Sequence, residues 1–202
     1  MGPDGQTVHG LKQDAPVSEF MDARKGAAVL RQCVAVLGSR PPTLLHGDLH
    51  PGNFWFSKRE RDQPPAGAPL QVLVCDWQFV LAGPPGVDIA TYSAFVPRED
   101  HPKILSELLP RYYERFLESA PAGTEGRYSF EELVEDWKCQ LLLWWFFFVH
   151  GFGDGLRAGN SVTQRVFASW IGRLWNLYIV PGVELPAFAE RMYADSLRQK
   201  QR

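Results

Sequence analysis

Leu44-Leu45-His46-Gly47-Asp48-Leu49-His50-Pro51-Gly52-Asn53-Phe54-Trp55-Phe56 sets apolar, β-favouring runs against a polar cluster that carries a carboxylate. Val72-Leu73-Val74-Cys75-Asp76-Trp77-Gln78 repeats the design. An apolar run ending in a polar cluster is how a strand delivers a reactive side chain to its tip. Asp48 and Asn53 share one short loop in which Pro51 fixes a backbone angle while Gly47 and Gly52 permit sharp turns, so both side chains can face one point. Asp76 is expected to arrive there from the neighbouring strand.

This donor set has a chemistry. One carboxylate able to take a proton from a hydroxyl, together with an amide oxygen and a second carboxylate for magnesium, is a minimal protein kit for phosphoryl transfer. An Asn supplies an oxygen ligand without adding negative charge beside a polyphosphate.

The segment from about Leu44 to Tyr92 resembles the catalytic and metal loops of the aminoglycoside phosphotransferase and choline kinase-like families, which share the protein-kinase-like fold. The matching residues are His46, Asp48, Asn53, Asp76 and, in Gly86-Val87-Asp88-Ile89-Ala90, an Asp-x-Ala element. The resemblance implies Asp48 as catalytic base, Asn53 and Asp76 as ligands of Mg2+ (or Mn2+), ATP as co-substrate, and His46 and Asp88 as loop supports. It directly covers about a quarter of the chain. His50 stands where a protein kinase commonly carries a Lys on the transferred phosphate, which leaves two readings, a phosphate or substrate contact and a solvent-facing side chain. Gly47 replaces the Arg that anchors an activation-loop phosphate in regulated protein kinases, and Trp77-Gln78 replaces Phe-Gly after the metal Asp. Both departures look like small-molecule kinases. Gly47-Asp48-Leu49-His50 also matches a metallophosphoesterase fragment, but the sequence lacks the Gly-Asn-His element that a two-metal site of that kind requires.

With 45% hydrophobic and 22% charged residues, the 202-residue sequence supports one substantial core, with room for two sub-lobes. A net charge of -2 gives no electrostatic footprint for nucleic acid. Cys33, Cys75 and Cys139 are an odd set without C-x-x-C, so the expectation is buried reduced thiols rather than a disulfide framework or a zinc site. The longest apolar run, Leu141 to Val149, is shorter than the roughly 20 residues of a membrane span. The polar start, Met1 to Asp14, shows no secretory h-region, and a soluble, cytoplasmic protein is expected.

Fold class follows from periodicity: α+β, mostly helical, with a small strand cluster at the catalytic and metal loops. Residues 1–16 are expected to be a flexible lead-in, and 17–200 the C-lobe of a kinase-like phosphotransferase. Ser18 is a plausible cap for a helix whose apolar positions Phe20, Ala23, Ala27, Leu30, Val34 and Leu37 share one face, ended by Gly38 and Pro41-Pro42. Strands are expected at Thr43 to His46, Phe54 to Phe56 and Leu70 to Cys75. After the rigid turn Gly83-Pro84-Pro85-Gly86, Asp88 reads both as the cap of a helix over Ile89 to Phe95 and as a loop support. His101 to Ser119 is an amphipathic helix that Pro110 can kink. Ser129 with Glu132 forms a capping-box pattern that opens a helix running into Leu141 to Phe148, a segment apolar all round and expected to be the central buried helix. Gly151 to Gly155 breaks it, and helices over Ser161 to Tyr178 and Pro186 to Gln199 follow.

Two substrate hints stay open. Trp144 and Trp145 offer either a cation-binding face or core packing, and Asp154 either an amine or hydroxyl contact or a plain turn. The strand Lys, Gly-rich turn and helix Glu of a complete kinase-like N-lobe are not found in Met1 to Leu45. The expectation is therefore a weak or inactive small-molecule hydroxyl kinase whose N-lobe belongs to a longer product, with a non-catalytic binding module as the alternative.

Overall fold

The computed structural model describes residues 23–56, 71–124, 126–147 and 185–199. The fold is α+β and mostly helical, as the periodicities require. Helix α1 spans Ala23–Gly38, α2 Gly86–Ser93, α3 Leu109–Ser119, α4 Phe130–Phe146 and α5 Leu185–Gln199. The strands are β1 Thr43–Leu45, β2 Phe54–Phe56, β3 Val72–Val74 and β4 Leu81–Gly83.

Helix α4 is the hub. Its capping box forms as the sequence requires, with Ser129 Oγ accepting from the Glu132 amide and the Glu132 carboxylate accepting from the Ser129 amide. Leu133, Trp137, Leu141 and Leu142 on α4 are buried against Val29 and Cys33 of α1, Ile89 and Ala90 of α2, and Met192 of α5. Within the apolar run Phe147, just past the helix end, is half exposed rather than buried, and ahead of that run Asp136 is fully buried. A buried carboxylate needs partners. Arg40, just past α1, donates from Nε to Asp136 Oδ1 at 3.0 Å and pairs with Glu132 and Glu135, while the Tyr128 hydroxyl donates to Asp136 Oδ2 at 2.7 Å.

The strand cluster is two separate antiparallel ladders rather than one unit. β1 pairs with β4, Leu45 opposite Leu81, and β2 pairs with β3, Trp55 opposite Leu73. Strand β4 lies in a segment whose Gly83-Pro84-Pro85-Gly86 turn signals masked it, and β3 is shorter than Leu70 to Cys75. The cluster leaves Leu44, Trp55 and Leu73 about two-thirds exposed.

Two helix expectations change at their ends. α2 begins at Gly86, so Asp88 sits inside its first turn and makes no cap. Gly86 permits this early start because a Cβ there would lie 2.9 Å from the Trp137 amide and 3.0 Å from the Leu133 carbonyl. Instead of a kinked α-helix from His101, residues Ile104–Leu108 make a π-turn, with the Leu109 amide bonding to the Ile104 carbonyl. The wider turn absorbs the missing donor and ring bulk of Pro110 at the start of α3. The expected helix over Ser161 to Tyr178, the break at Gly151 to Gly155, Asp154 and the lead-in 1–16 lie outside the described residues.

Candidate active site

β1 ends at buried Leu45, and the chain turns at Gly47 with φ 81°. Only glycine fits, since a Cβ would stand 2.2 Å from the Phe79 carbonyl oxygen on top of the left-handed backbone. The turn is clamped from below by Asp88. Its Oδ2 accepts from the His46 amide at 2.7 Å and its Oδ1 from the Gly47 amide at 2.9 Å. A carboxylate taking two backbone N–H groups satisfies donors that burial would otherwise leave unpaired.

His46 ties this turn to the second segment. Its Nδ1 accepts from the Asp48 amide at 3.3 Å and its Nε2 donates to the Cys75 carbonyl at 2.8 Å, which fixes the neutral Nε2–H tautomer. The Trp77 ring packs on it at 4.7 Å between centroids. With both nitrogens engaged and 2% of its surface exposed, His46 is a bracket between two loops.

Asp48 itself is partly exposed. Its backbone carbonyl accepts from the His50 amide and from Asn53 Nδ2, both at 2.9 Å, so the loop closes on Asp48 and holds Asn53 beside it. Because Nδ2 is spent there, the atom that Asn53 has left for a ligand is Oδ1. His50 caps the short 3-10 turn Pro51–Asn53 through Nδ1, which accepts from the Gly52 amide at 3.0 Å. That leaves Nε2 turned toward the Asp48 carboxylate, 3.6 Å from Oδ2.

Asp76 follows β3 immediately. The Cys75 amide bonds to the Asn53 carbonyl at 2.9 Å, extending the β2–β3 ladder by one step, so Asp76 follows the residue that pairs with Asn53. Asp76 adopts φ 64° and ψ 58°, the left-handed region, at a cost of about 1–2 kcal/mol for a residue with a Cβ. The backbone thereby turns away while the carboxylate stays exposed, 3.5 Å from Gln78 Nε2. Thus Asp48 and Asn53 are brought together directly, and Asp76 through Cys75. Among the described residues, no group of three or more His, Cys, Asp and Glu is placed to hold a metal ion. Any cation here would rest on Asn53 and Asp76 together with oxygens that a ligand or water brings.

A family model described as "Uncharacterized oxidoreductase dhs-27" (DUF1679) matches residues 14–154. The chain belongs to this family. The DUF1679 family is related to the phosphotransferase/kinase-like superfamily. The span matched by the family includes His46, Asp48, His50, Asn53, Asp76 and Asp88, and it closes at Asp154. No curated protein and no solved structure matches the chain.

Several residues that serve the site escaped the sequence reading. Tyr112 donates its hydroxyl to the Pro85 carbonyl at 3.1 Å, bracing the start of α2, and burial with Asp88 nearby pushes its phenol up to about 12. Arg40 and Asp136 brace the other end of β1's approach, and their separation of 96 positions leaves no local signal. Of the open substrate hints, Trp145 lies in the core, while half-buried Trp144 donates from Nε1 to Thr91 Oγ1 at 3.1 Å. Among the described residues no helix is long and apolar enough to cross a membrane.

Proposed function

We propose that this chain is the catalytic-lobe part of an aminoglycoside phosphotransferase/choline kinase-like enzyme that transfers a phosphoryl group from ATP to a small-molecule hydroxyl. The observation that carries the reading is the bracket of Asp88, His46 and Cys75, which holds the Asp48–Asn53 loop against the left-handed turn at Asp76. A site that works by positioning needs that kind of rigidity, because phosphoryl transfer draws its rate from orientation and charge placement.

In this reading Asp48 accepts the proton of the acceptor hydroxyl, and His50 Nε2 steadies its carboxylate. Asn53 Oδ1 and Asp76 would hold magnesium, which binds through one or two carboxylates plus phosphate oxygens and would supply neutralisation of phosphate charge. The fit rests on the donor chemistry: both candidate ligands offer oxygen, and His46 is committed on both nitrogens. The family's description as an oxidoreductase would call for a dinucleotide cradle, whose usual form is a glycine-rich turn leaving a parallel sheet. The described sheets are antiparallel two-stranded ladders.

The test combines metal binding and turnover on the full chain. Manganese followed by electron paramagnetic resonance should show a weak site that Asp76→Ala removes. ATP-dependent phosphorylation of a panel of amino alcohols and aminoglycosides should fall about a hundredfold or more in Asp48→Asn, the usual scale for losing a general base. Manganese binding without turnover on any acceptor would favour the non-catalytic module, and neither would overturn both readings.

A further inference from the structure

Between β1's entry and α3 lies a second cavity, of about 530 Å³, in the size range of small-molecule sites. Neither Asp48, Asn53 nor Asp76 lines it. Its lining is largely apolar, with Pro41, Pro42, Phe116 and the ring of Tyr112, and includes the hydroxyls of Thr43, Ser119 and Thr124. Both phenols are committed through their hydroxyls, Tyr112 to the Pro85 carbonyl and Tyr128 to Asp136; Tyr112 is half-buried and offers its ring, while Tyr128 belongs to the buried core. Burial raises both phenol pKa values, and neither ring carries charge near neutrality.

Among the described residues, the charged groups lining the cavity are of one sign. Arg115 and Arg127 are both exposed there, and no described Asp or Glu is among the lining residues. Arg127 has no carboxylate partner among the described residues. Arg115 pairs with Glu118 at 2.6 Å, but both side chains are largely in solvent, and such a pair holds its guanidinium weakly. A largely apolar cavity lined by proline and aromatic side chains and by two exposed guanidinium groups matches a planar ring that carries a carboxylate, since rings stack on aromatic and proline faces and the Arg fork meets a carboxylate with two bonds.

We infer that this cavity is a second small-molecule site, selective for aromatic carboxylates. The inference is independent of phosphoryl transfer, because it rests on different residues. A ring seated there meets Tyr112, which braces the helix carrying Asp88.

The probe is 2-naphthoate, with neutral 2-naphthamide as its isostere, titrated calorimetrically into the full chain. The acid should bind at one site about tenfold tighter than the amide, the worth of one good charge-assisted contact. Combined Arg115→Gln and Arg127→Gln should bring the acid down to the amide's affinity. Ser119→Trp, at an exposed lining position, should block both ligands. Trp55→Ser, on the exposed strand face, should change neither. The inference is overturned by absent binding of the acid, by equal affinity for acid and amide, by an unchanged preference in the double variant, or by loss of binding in Trp55→Ser. Should Ser119→Trp unfold, as a thermal melt would reveal, the double variant decides alone, since both arginines are exposed.

Discussion

Asp88 does at the residue scale what a helix cap was expected to do elsewhere: it satisfies backbone donors, but those of His46 and Gly47 rather than of its own helix. The sequence narrows its role to cap or loop support and cannot choose, because both uses ask for a short carboxylate after a turn. The choice is made by Gly86, whose missing Cβ lets the helix start three residues earlier. Asp88→Ala should therefore leave one buried and one partly buried amide unpaired and cost about 2–4 kcal/mol, counting about 1–3 kcal/mol for each lost acceptor with partial relief by water. Urea denaturation reads the loss directly. Hydrogen exchange at the His46 and Gly47 amides should accelerate more than exchange in α4, and equal acceleration everywhere would argue against a local clamp. Asp88→Asn, which keeps one carbonyl oxygen, should lose less.

At the scale of elements, the junction of α1 with α4 is held by charge beside a largely apolar core. Burial raises Asp136 to about 6, even though the Tyr128 hydroxyl and the Arg40 guanidinium pull the other way. Burial likewise opposes the charge on Arg40, but the bond and charge of Asp136, then the charges of Glu132 and Glu135, outweigh it and raise its pKa. For Asp136 the sign is unambiguous: a carboxyl with a native pKa above its unfolded value binds more protons when folded, so its contribution is fully present below the ordinary 3.8 and is lost as pH rises through about 6. Stability should slope downward across that window by up to about 1.4 kcal/mol per pH unit from this group. Asp136→Asn keeps an oxygen for Arg40 and should flatten the slope, measured as the pH dependence of the urea midpoint. A slope unchanged in the variant would assign it to other carboxylates. This network was illegible in the sequence, whereas the capping box three residues wide was plain, since pattern reasoning sees only neighbours. The π-turn ahead of Pro110 was half visible: the proline announced a disturbance, and the packing of Ile104 and Leu109 in the core fixed its form.

Across the whole molecule, the mostly helical class, α4 as the hub and the order of the loops were legible because amphipathic periodicity and turn residues are strong local signals. The division of the strands into two ladders was not, since strand partners are chosen by long-range register. The same long-range packing joins the core to the loop of Asp48. Trp137, fully buried on α4, donates from Nε1 to Ser93 Oγ on α2 at 3.0 Å, and Ser93 in turn donates to the Ile89 carbonyl. At the other end of α2, Gly86 lies against the backbone of α4 with no space for a side chain. α2 is thus fixed at both ends on the hub, and its first turn carries the carboxylate that holds the loop. Gly86→Ala puts a methyl against backbone atoms that cannot rotate aside, so the start of α2 must lift. Overpacking of this kind costs about 1–3 kcal/mol, and here the displacement should reach Asp88. The expected result is faster exchange at the His46 and Gly47 amides in Gly86→Ala, although the substitution touches neither. Combined with Asp88→Ala, the stability losses should sum to less than the separate effects, because both act on the same pair of bonds. Full additivity would mean that α2 yields to the methyl without moving Asp88, and that the loop is held independently of the core.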